Sequence, residues 1–245
     1  MRGFQPYTSL MQTLGIARLG RVALDLLYPP KCVLCATNGE FLCEPCTAVL
    51  PRAVAPRCDR CWLPLARDRC PSCEEHSSHL SRLRSVFRYE GDVRQLVHRF
   101  KFSGQSSLSP ALGRLLASAC EQHSLNPDIL VPVPLTSARE RMRGYNQATL
   151  MAKELTKLTG TPVAVAVKRA GRSGTQAASS SAEERRRNVE GVFSVSKGAQ
   201  ASVAGSHVLL IDDVATTGAT LNACATLLLE AGAASVSALT LARED

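Results

Sequence analysis

"HVLLIDDVATTGAT", residues 207–220, runs from an unbroken apolar stretch through two acids into a small, hydroxylated loop. Apolar residues without polar alternation predict a strand buried on both faces, the habit of parallel sheets covered by helices. Such sheets place ligands beyond the carboxyl ends of their strands, where Asp212 and Asp213 fall. The residues that follow open a helix, so backbone N–H groups from Ala215 through Ala219 to Thr220 can turn toward an anion. Thr216, Thr217 and Thr220 add hydroxyls, and Gly218 lets the backbone approach a ligand closely. Carboxylates repel phosphate and accept hydrogen bonds from hydroxyls. The segment therefore asks for a phosphate a few ångströms from a pair of hydroxyls, as in a ribose 5-phosphate. An N-capped helix with an acidic first turn is the plain structural alternative.

Outward from this strand, helical and strand patterns alternate. Residues 83–90 read as a strand and 92–102 as a helix with Val93, Leu96, Val97 and Phe100 on one face. Residues 109–122 form a second helix with proline in its first turn. The apolar run 128–134 is a strand, and a helix covers roughly 145–159, ending at Gly160. Strands follow at 163–167, 191–195 and 207–212, then a helix from about 217, and 235–243 closes the chain as a strand. This order predicts a doubly wound, mainly parallel α/β sheet over residues 83–245. Residues 170–188 are polar, rich in glycine and serine, and end in Arg185, Arg186 and Arg187. They read as a lid carrying Lys168, Arg169 or Arg172, or as an ordinary surface loop.

Eight of the ten cysteines lie in four C-x2-C pairs: Cys32/Cys35, Cys43/Cys46, Cys58/Cys61 and Cys70/Cys73. Each pair aims two sulfurs at one point, half of a tetrahedral four-thiolate site. The spacing predicts two structural zinc ions in a double ribbon over residues 29–76. A disulfide scaffold and Fe–S ligation are the weaker alternatives. Sequential pairing joins the first four cysteines on one ion and the last four on another; an interleaved arrangement stays open. Four thiolates close each site, so neither has a position for catalysis. His76 and His79 read as linker residues, Cys120 and Cys224 as buried spectators.

The 245 residues carry a net charge of +8, which favours an anionic partner, nucleic acid or phosphorylated metabolite. No apolar run reaches the roughly 18 residues that span a bilayer. Residues 1–28, with Leu14, Ala17, Arg18, Arg21, Leu24 and Asp25, fit an amphipathic helix docked on the body. No membrane insertion and a cytoplasmic location are expected.

"VLLIDDVATTGAT" resembles the thirteen-residue signature of type I phosphoribosyltransferases. "VPVPLTSARERMRGYNQA" (131–148), "YEGDVRQLVHRFKFSG" (89–104) and "TQAASSSAEERRRNVEGVF" (175–193), behind paired cysteine knuckles, are similar to the ComF family. The resemblance covers nearly everything from residue 28 onward. It implies a phosphoribosyltransferase-like domain over 83–245, with Asp212 and Asp213 on the ribose hydroxyls of phosphoribosyl pyrophosphate (PRPP) and residues 215–220 on its 5-phosphate. Mg2+ would accompany PRPP. Arg139, Arg143, Gly144 and Lys101 are the candidates for the pyrophosphate; a solvated basic helix face is the alternative. Purine-salvage relatives carry an acid in the phosphate loop as a base, where this chain has Thr216. Orotate and adenine relatives also lack it, so the departure weighs only against a hypoxanthine- or guanine-type reaction. The family is associated with natural competence. That implies a second reading, a non-catalytic PRPP-sensing or DNA-binding module acting on single-stranded DNA or with DNA-uptake proteins. Trp62, beside Cys61, reads first as packed against the ribbon and is also the first base-stacking candidate of this second reading.

Overall fold

The computed structural model describes residues 29–65, 69–169, 192–196 and 198–245. The expected amphipathic helix at 1–28, and Arg172, Arg185, Arg186 and Arg187, lie outside them. The chain forms two compact units, Met1–Val49 and Leu50–Asp245, dividing between the two cysteine quartets.

In the first unit, residues 29–49 fold around the first quartet. A turn brings the Ala36 N–H to the Cys32 carbonyl, and Lys31 bridges Asn38. A short helix, α1 (Glu44–Val49), follows.

The second unit opens with the second quartet and its own short helix, α2 (Pro71–Glu75). Strand β1 (Leu83–Arg88) leads into α3 (Gly91–Phe102), whose Val93, Leu96, Val97 and Phe100 are fully buried. Helix α4 (Ser109–Gln122) precedes β2 (Ile129–Pro132). Two helices follow: α5 (Ser137–Arg143) and α6 (Gln147–Thr159). Strands β3 (Val167–Arg169) and β4 (Phe193–Val195) come next, then the single-turn α7 (Gln200–Val203). The chain ends with β5 (His207–Ala215), α8 (Ala219–Glu230) and β6 (Ser235–Arg243).

The main sheet has the order β1-β6-β5-β2, and every pairing in it is parallel. Val208 and Leu210 of β5 pack with Cys224, Ala225 and Leu228 of α8. Alternation turns Leu209 and Ile211 to the opposite face, where α6 lies against the same strand. Gly113 lets α4 and α6 touch: a Cβ there would sit 2.4 Å from the Glu154 Cβ.

Several sequence expectations change in detail. Residues 163–166 form no continuous strand, since only Val163 bridges Leu130. The chain becomes extended again at β3, which pairs antiparallel with β4 apart from the main sheet. Arg139, Arg141 and Arg143 lie on helix α5, the basic helix that stood as the alternative reading of this stretch. Its seven residues carry no apolar stripe, with Met142 exposed, and its start is fixed by Thr136 Oγ1 accepting the Arg139 N–H. Strand β5 does not stop at Asp212. It continues to Ala215 because β6 runs beside it to Arg243.

Candidate functional site

The sulfurs of Cys32, Cys35, Cys43 and Cys46 lie within 4.8 Å of one another, as do those of Cys58, Cys61, Cys70 and Cys73. Sulfur pairs stand 3.7 Å apart for Cys35–Cys43 and Cys58–Cys73, and 3.5 Å for Cys61–Cys70. A tetrahedral zinc with Zn–S bonds of about 2.3 Å requires sulfur separations of about 3.8 Å. The residues fit the ion, all eight cysteines are free thiols, and the pairing is sequential. These are two four-cysteine zinc-binding sites.

The second quartet is tied to the sheet by buried arginines. Arg57 donates to both carboxylate oxygens of Asp245, at 2.7 and 2.8 Å, and to the Trp62 carbonyl. Arg84 lies over the Trp62 ring and donates to the Asp59 carbonyl. Arg243 donates to the Cys61 carbonyl at 3.2 Å and to the Ala215 carbonyl at 3.1 Å. Trp62 is buried, edge-on to His123, with its indole N–H on the Ser85 carbonyl. It packs against the ribbon and the sheet, the first of its two readings, and has no face left for a nucleic-acid base.

The two acids project from β5 just past the last residue paired with β2, Ile211 opposite Pro132. Because they are consecutive in a strand, they face opposite sides of the sheet. Asp213, 7% exposed, meets Lys101 of α3 at 2.8 Å. Asp212 lies toward α8, and its own carboxylate accepts the Asp213 N–H at 2.8 Å. Burial, and then the neighbouring Asp213 charge, push Asp212 up to about 7; Lys101 and Arg169 only partly offset this.

The loop after β5 is built to expose its backbone. Gly218 takes a left-handed conformation at φ 77°, and a Cβ there would meet nothing within 4 Å. Thr217 Oγ1 accepts the Ala219 N–H. Among the described residues, no backbone carbonyl takes the N–H of Thr216, Thr217, Gly218 or Thr220. Unclaimed donors at the start of a twelve-residue helix are an arrangement able to hold an anion.

Arg143 ends α5, and Gly144 turns the chain at φ 79° into Tyr145. The Tyr145 hydroxyl donates to the Phe100 carbonyl at 2.6 Å, and the Gln147 amide reaches the same oxygen at 3.4 Å. Both hold the last turn of α3, which carries Lys101. Asn146 caps α6 and donates to the Val133 carbonyl beyond β2. This short stretch therefore ties three elements together around the acids. The Arg143 guanidinium rests over the Phe102 ring at 4.8 Å and bonds Gln147. Burial lowers its pKa, against the pull of nearby Asp213. Arg139 is exposed on α5. Lys168 is also exposed, whereas its neighbour Arg169 lies half-buried over Phe193, with Asp212 and Arg139 in electrostatic range. The sequence did not separate Lys168, Arg169 and Arg172; of the two that are described, Arg169 is the one set half-buried near Asp212. Among the described residues, Arg139, Arg143 and Arg169 have no acid at ion-pair distance.

Cys224 is buried in α8 near Asp212, and burial raises its thiol to about 12. Cys120 is buried on α4, likewise raised to about 11. Neither belongs to a metal cluster among the described residues. His79 is not a zinc ligand: its N–H donates to Asn222 and its ring bonds Thr226, both on α8. No described helix is long and apolar enough to cross a membrane.

Residues 105–245 match the phosphoribosyl transferase domain family, and residues 23–77 match the double zinc ribbon domain family. The DNA utilization protein YhgH of Salmonella typhimurium is 34% identical over 89% of this chain and 99% of that protein. The competence protein ComFC of Bacillus subtilis is 33% identical, covering 83% of this chain and 85% of its own. Competence protein F of Haemophilus influenzae is 32% identical, covering 87% and 96%.

Proposed function

The chain belongs to the ComF family of double-zinc-ribbon, phosphoribosyltransferase-domain proteins, and from that premise we propose that it binds PRPP and transfers its phosphoribosyl group in the cytoplasm. The observation that carries this reading is the adjacency of the Asp212–Asp213 pair to the open loop at 216–220. In this reading the loop N–H groups take the 5-phosphate and the acids accept the ribose hydroxyls. Arg143, Arg139 and Arg169 face the pyrophosphate, and Lys101 and Gly144 complete its surroundings. The oxygen donors of the two acids and of the ligand's diphosphate suit Mg2+, which would neutralise charge on the leaving group. The protein's own share is placement: its cations hold the diphosphate while the C1–O bond lengthens, and its acids fix the ring that becomes cationic. No side chain in the loop is an acid, so the acceptor must lose its own proton readily or lose it to water.

Isothermal titration of Mg2+ and PRPP tests the reading. Saturable binding is expected for the zinc-loaded protein and is expected to vanish in Asp212→Asn/Asp213→Asn. Failure of the folded wild type to bind overturns the proposal. A pH series adds a second readout. Asp212 must be ionised to accept the hydroxyl bonds, so affinity should rise as pH climbs through about 7. Without ligand the sign reverses. A carboxyl raised on folding contributes stability below its unfolded pKa of about 4, which is lost as pH rises through about 7. Asp212→Asn should flatten that slope and raise the melting temperature at about pH 8.

The relatives' names, and Arg139 and Arg141 exposed on α5, favour a second reading in which the basic surface holds single-stranded DNA and the PRPP site is a sensor. Affinity for a single strand should then fall steeply with salt. It should persist in Asp212→Asn/Asp213→Asn and weaken when Arg185, Arg186 and Arg187 are replaced. Salt-independent or absent binding removes this reading.

A further inference from the structure

A cavity of about 550 Å³ borders the loop at Thr217–Ala219, between the second quartet's knuckle and α8. It shares Thr217, Gly218 and Ala219 with the loop, yet its wall includes none of Asp212, Asp213, Lys101 or Arg143. The loop thus follows directly on the acids in the chain and also opens on this cavity. For PRPP, whose 5-phosphate is terminal, a cavity beyond the loop has no use.

The cavity's chemistry is that of a nucleotide pocket. Its floor is apolar, with Leu80, Phe193, Ala223 and Leu227. Its rim carries Arg60, His76 and His79, with Glu230 as its single carboxylate. Arg60 is exposed and has no acid partner among the described residues. Flat apolar surface beside imidazoles and an unpaired guanidinium suits an aromatic base with a nearby phosphate. The volume lies within the range of small-ligand sites, roughly 300–1,000 Å³.

We propose that the cavity receives a second nucleoside, joined through the phosphate held at Thr217–Ala219 to a ribose held at the acids. The ligand class is a ribose 5-phosphate esterified on its phosphate. The acid pair calls for a vicinal diol on the terminal ribose. Two sources supply this chemistry: a small diphosphate ester such as ADP-ribose, or the 3′ end of a ribonucleotide strand. The inference rests on the ribose-phosphate reading of the acids and loop.

The test compares ribose 5-phosphate, ADP-ribose, the diribonucleotide ApA and its deoxy counterpart by titration into the zinc-loaded protein. The esterified ribose ligands should bind about tenfold tighter than ribose 5-phosphate, the gain one stacked base supplies. Ala223→Tyr, which fills the cavity, and Arg60→Glu, which reverses its charge, should abolish the gain while ribose 5-phosphate binds unchanged. That unchanged binding also reports an intact loop. A gain with ADP-ribose alone identifies the small ester as the source. A gain with ApA but not deoxy-ApA identifies the strand end. Ribose 5-phosphate binding with no gain from either ester, or a gain that survives both variants, overturns this proposal and leaves the PRPP reading standing. Failure of every ligand to bind, ribose 5-phosphate included, overturns both.

Discussion

Lys31 and Arg57 hold the same place in two copies of one knuckle: each bridges across its hairpin, to Asn38 and to Pro64. The copies match bond for bond. The Cys32 N–H donates to the Thr37 carbonyl and the Cys58 N–H to that of Leu63. Ala36 and Trp62, each just after the second cysteine of its pair, share a left-handed φ of 62° and 61°. Their surroundings differ. Lys31 and Ala36 are exposed, while Arg57 and Trp62 are buried, Arg57 on Asp245 at the chain's end and Trp62 under Arg84. A C-x2-C turn needs only its sulfurs and backbone. The side chains flanking each cysteine pair are therefore free either to face solvent or to pack against other parts of the chain. One lysine and one alanine give the first outcome, one arginine and one tryptophan the second.

The largest expected effect separates the copies outright. Cys73→Ser and Cys46→Ser should each lower the bound zinc by one equivalent, measured by metal analysis. Thiolate–zinc ligation contributes folding free energy on the order of 10 kcal/mol, and in the second copy the sheet's own anchors depend on it. Cys73→Ser should lower the melting temperature of the sheet domain by about 15 °C or more, whereas Cys46→Ser should leave it within about 2 °C. Equal shifts would erase the distinction.

A smaller effect tests the anchors themselves. Trp62→Ala removes a buried indole and its hydrogen bond, at a cost of about 3–5 kcal/mol. Ala36→Gly at the matching place changes an exposed methyl on a left-handed residue and should stay within about 0.5 kcal/mol. Denaturant unfolding followed by circular dichroism reads both. A small loss for Trp62→Ala would mean that the arginines alone carry the attachment.

What could be read from the sequence follows the range of the forces involved. The i, i+3, i+4, i+7 spacing of Val93, Leu96, Val97 and Phe100 made α3 legible, because burial of one helix face is a local pattern. The cysteine spacing gave both zinc sites, because a C-x2-C turn closes locally. The unbroken apolar run of β5 gave the central strand and placed the acids near its end. Sequence did not show that β5 runs on to Ala215, since that depends on β6 lying alongside. Nor did it show that Lys101 pairs with Asp213, that Tyr145 and Gln147 hold the turn carrying Lys101, or that Arg169 comes within electrostatic range of Asp212. These partners lie far apart in the chain and meet only after the sheet forms. Buried arginines are the hardest to foresee, because arginine is ordinarily a surface residue and Arg57, Arg84 and Arg243 take carbonyls as partners, which no residue type announces.

Arg243 carries the finest test, because it joins the second knuckle to the start of the loop at 216–220. Its side chain is 2% exposed and spans from the Cys61 carbonyl to that of Ala215, where the loop begins. Zinc ligation fixes Cys61, Arg243 passes that fixity to Ala215, and the loop N–H groups start from a settled backbone. Arg243→Lys keeps the charge and most of the bulk, but a single ammonium cannot hold both carbonyls in the geometry of the guanidinium fork. The stability loss should be about 1–2 kcal/mol. The functional loss should exceed it in kind: PRPP affinity should fall about tenfold, and amide exchange at residues 215–220 should quicken while exchange in α3 and α4 stays slow. Cys46→Ser should leave both readouts alone. If loop exchange in Arg243→Lys matches the wild type, the second ribbon is an attachment to the sheet and nothing more. If it quickens only there, the second zinc site helps to position the loop at 216–220, and the second copy of the knuckle has taken on a role beyond holding its ion.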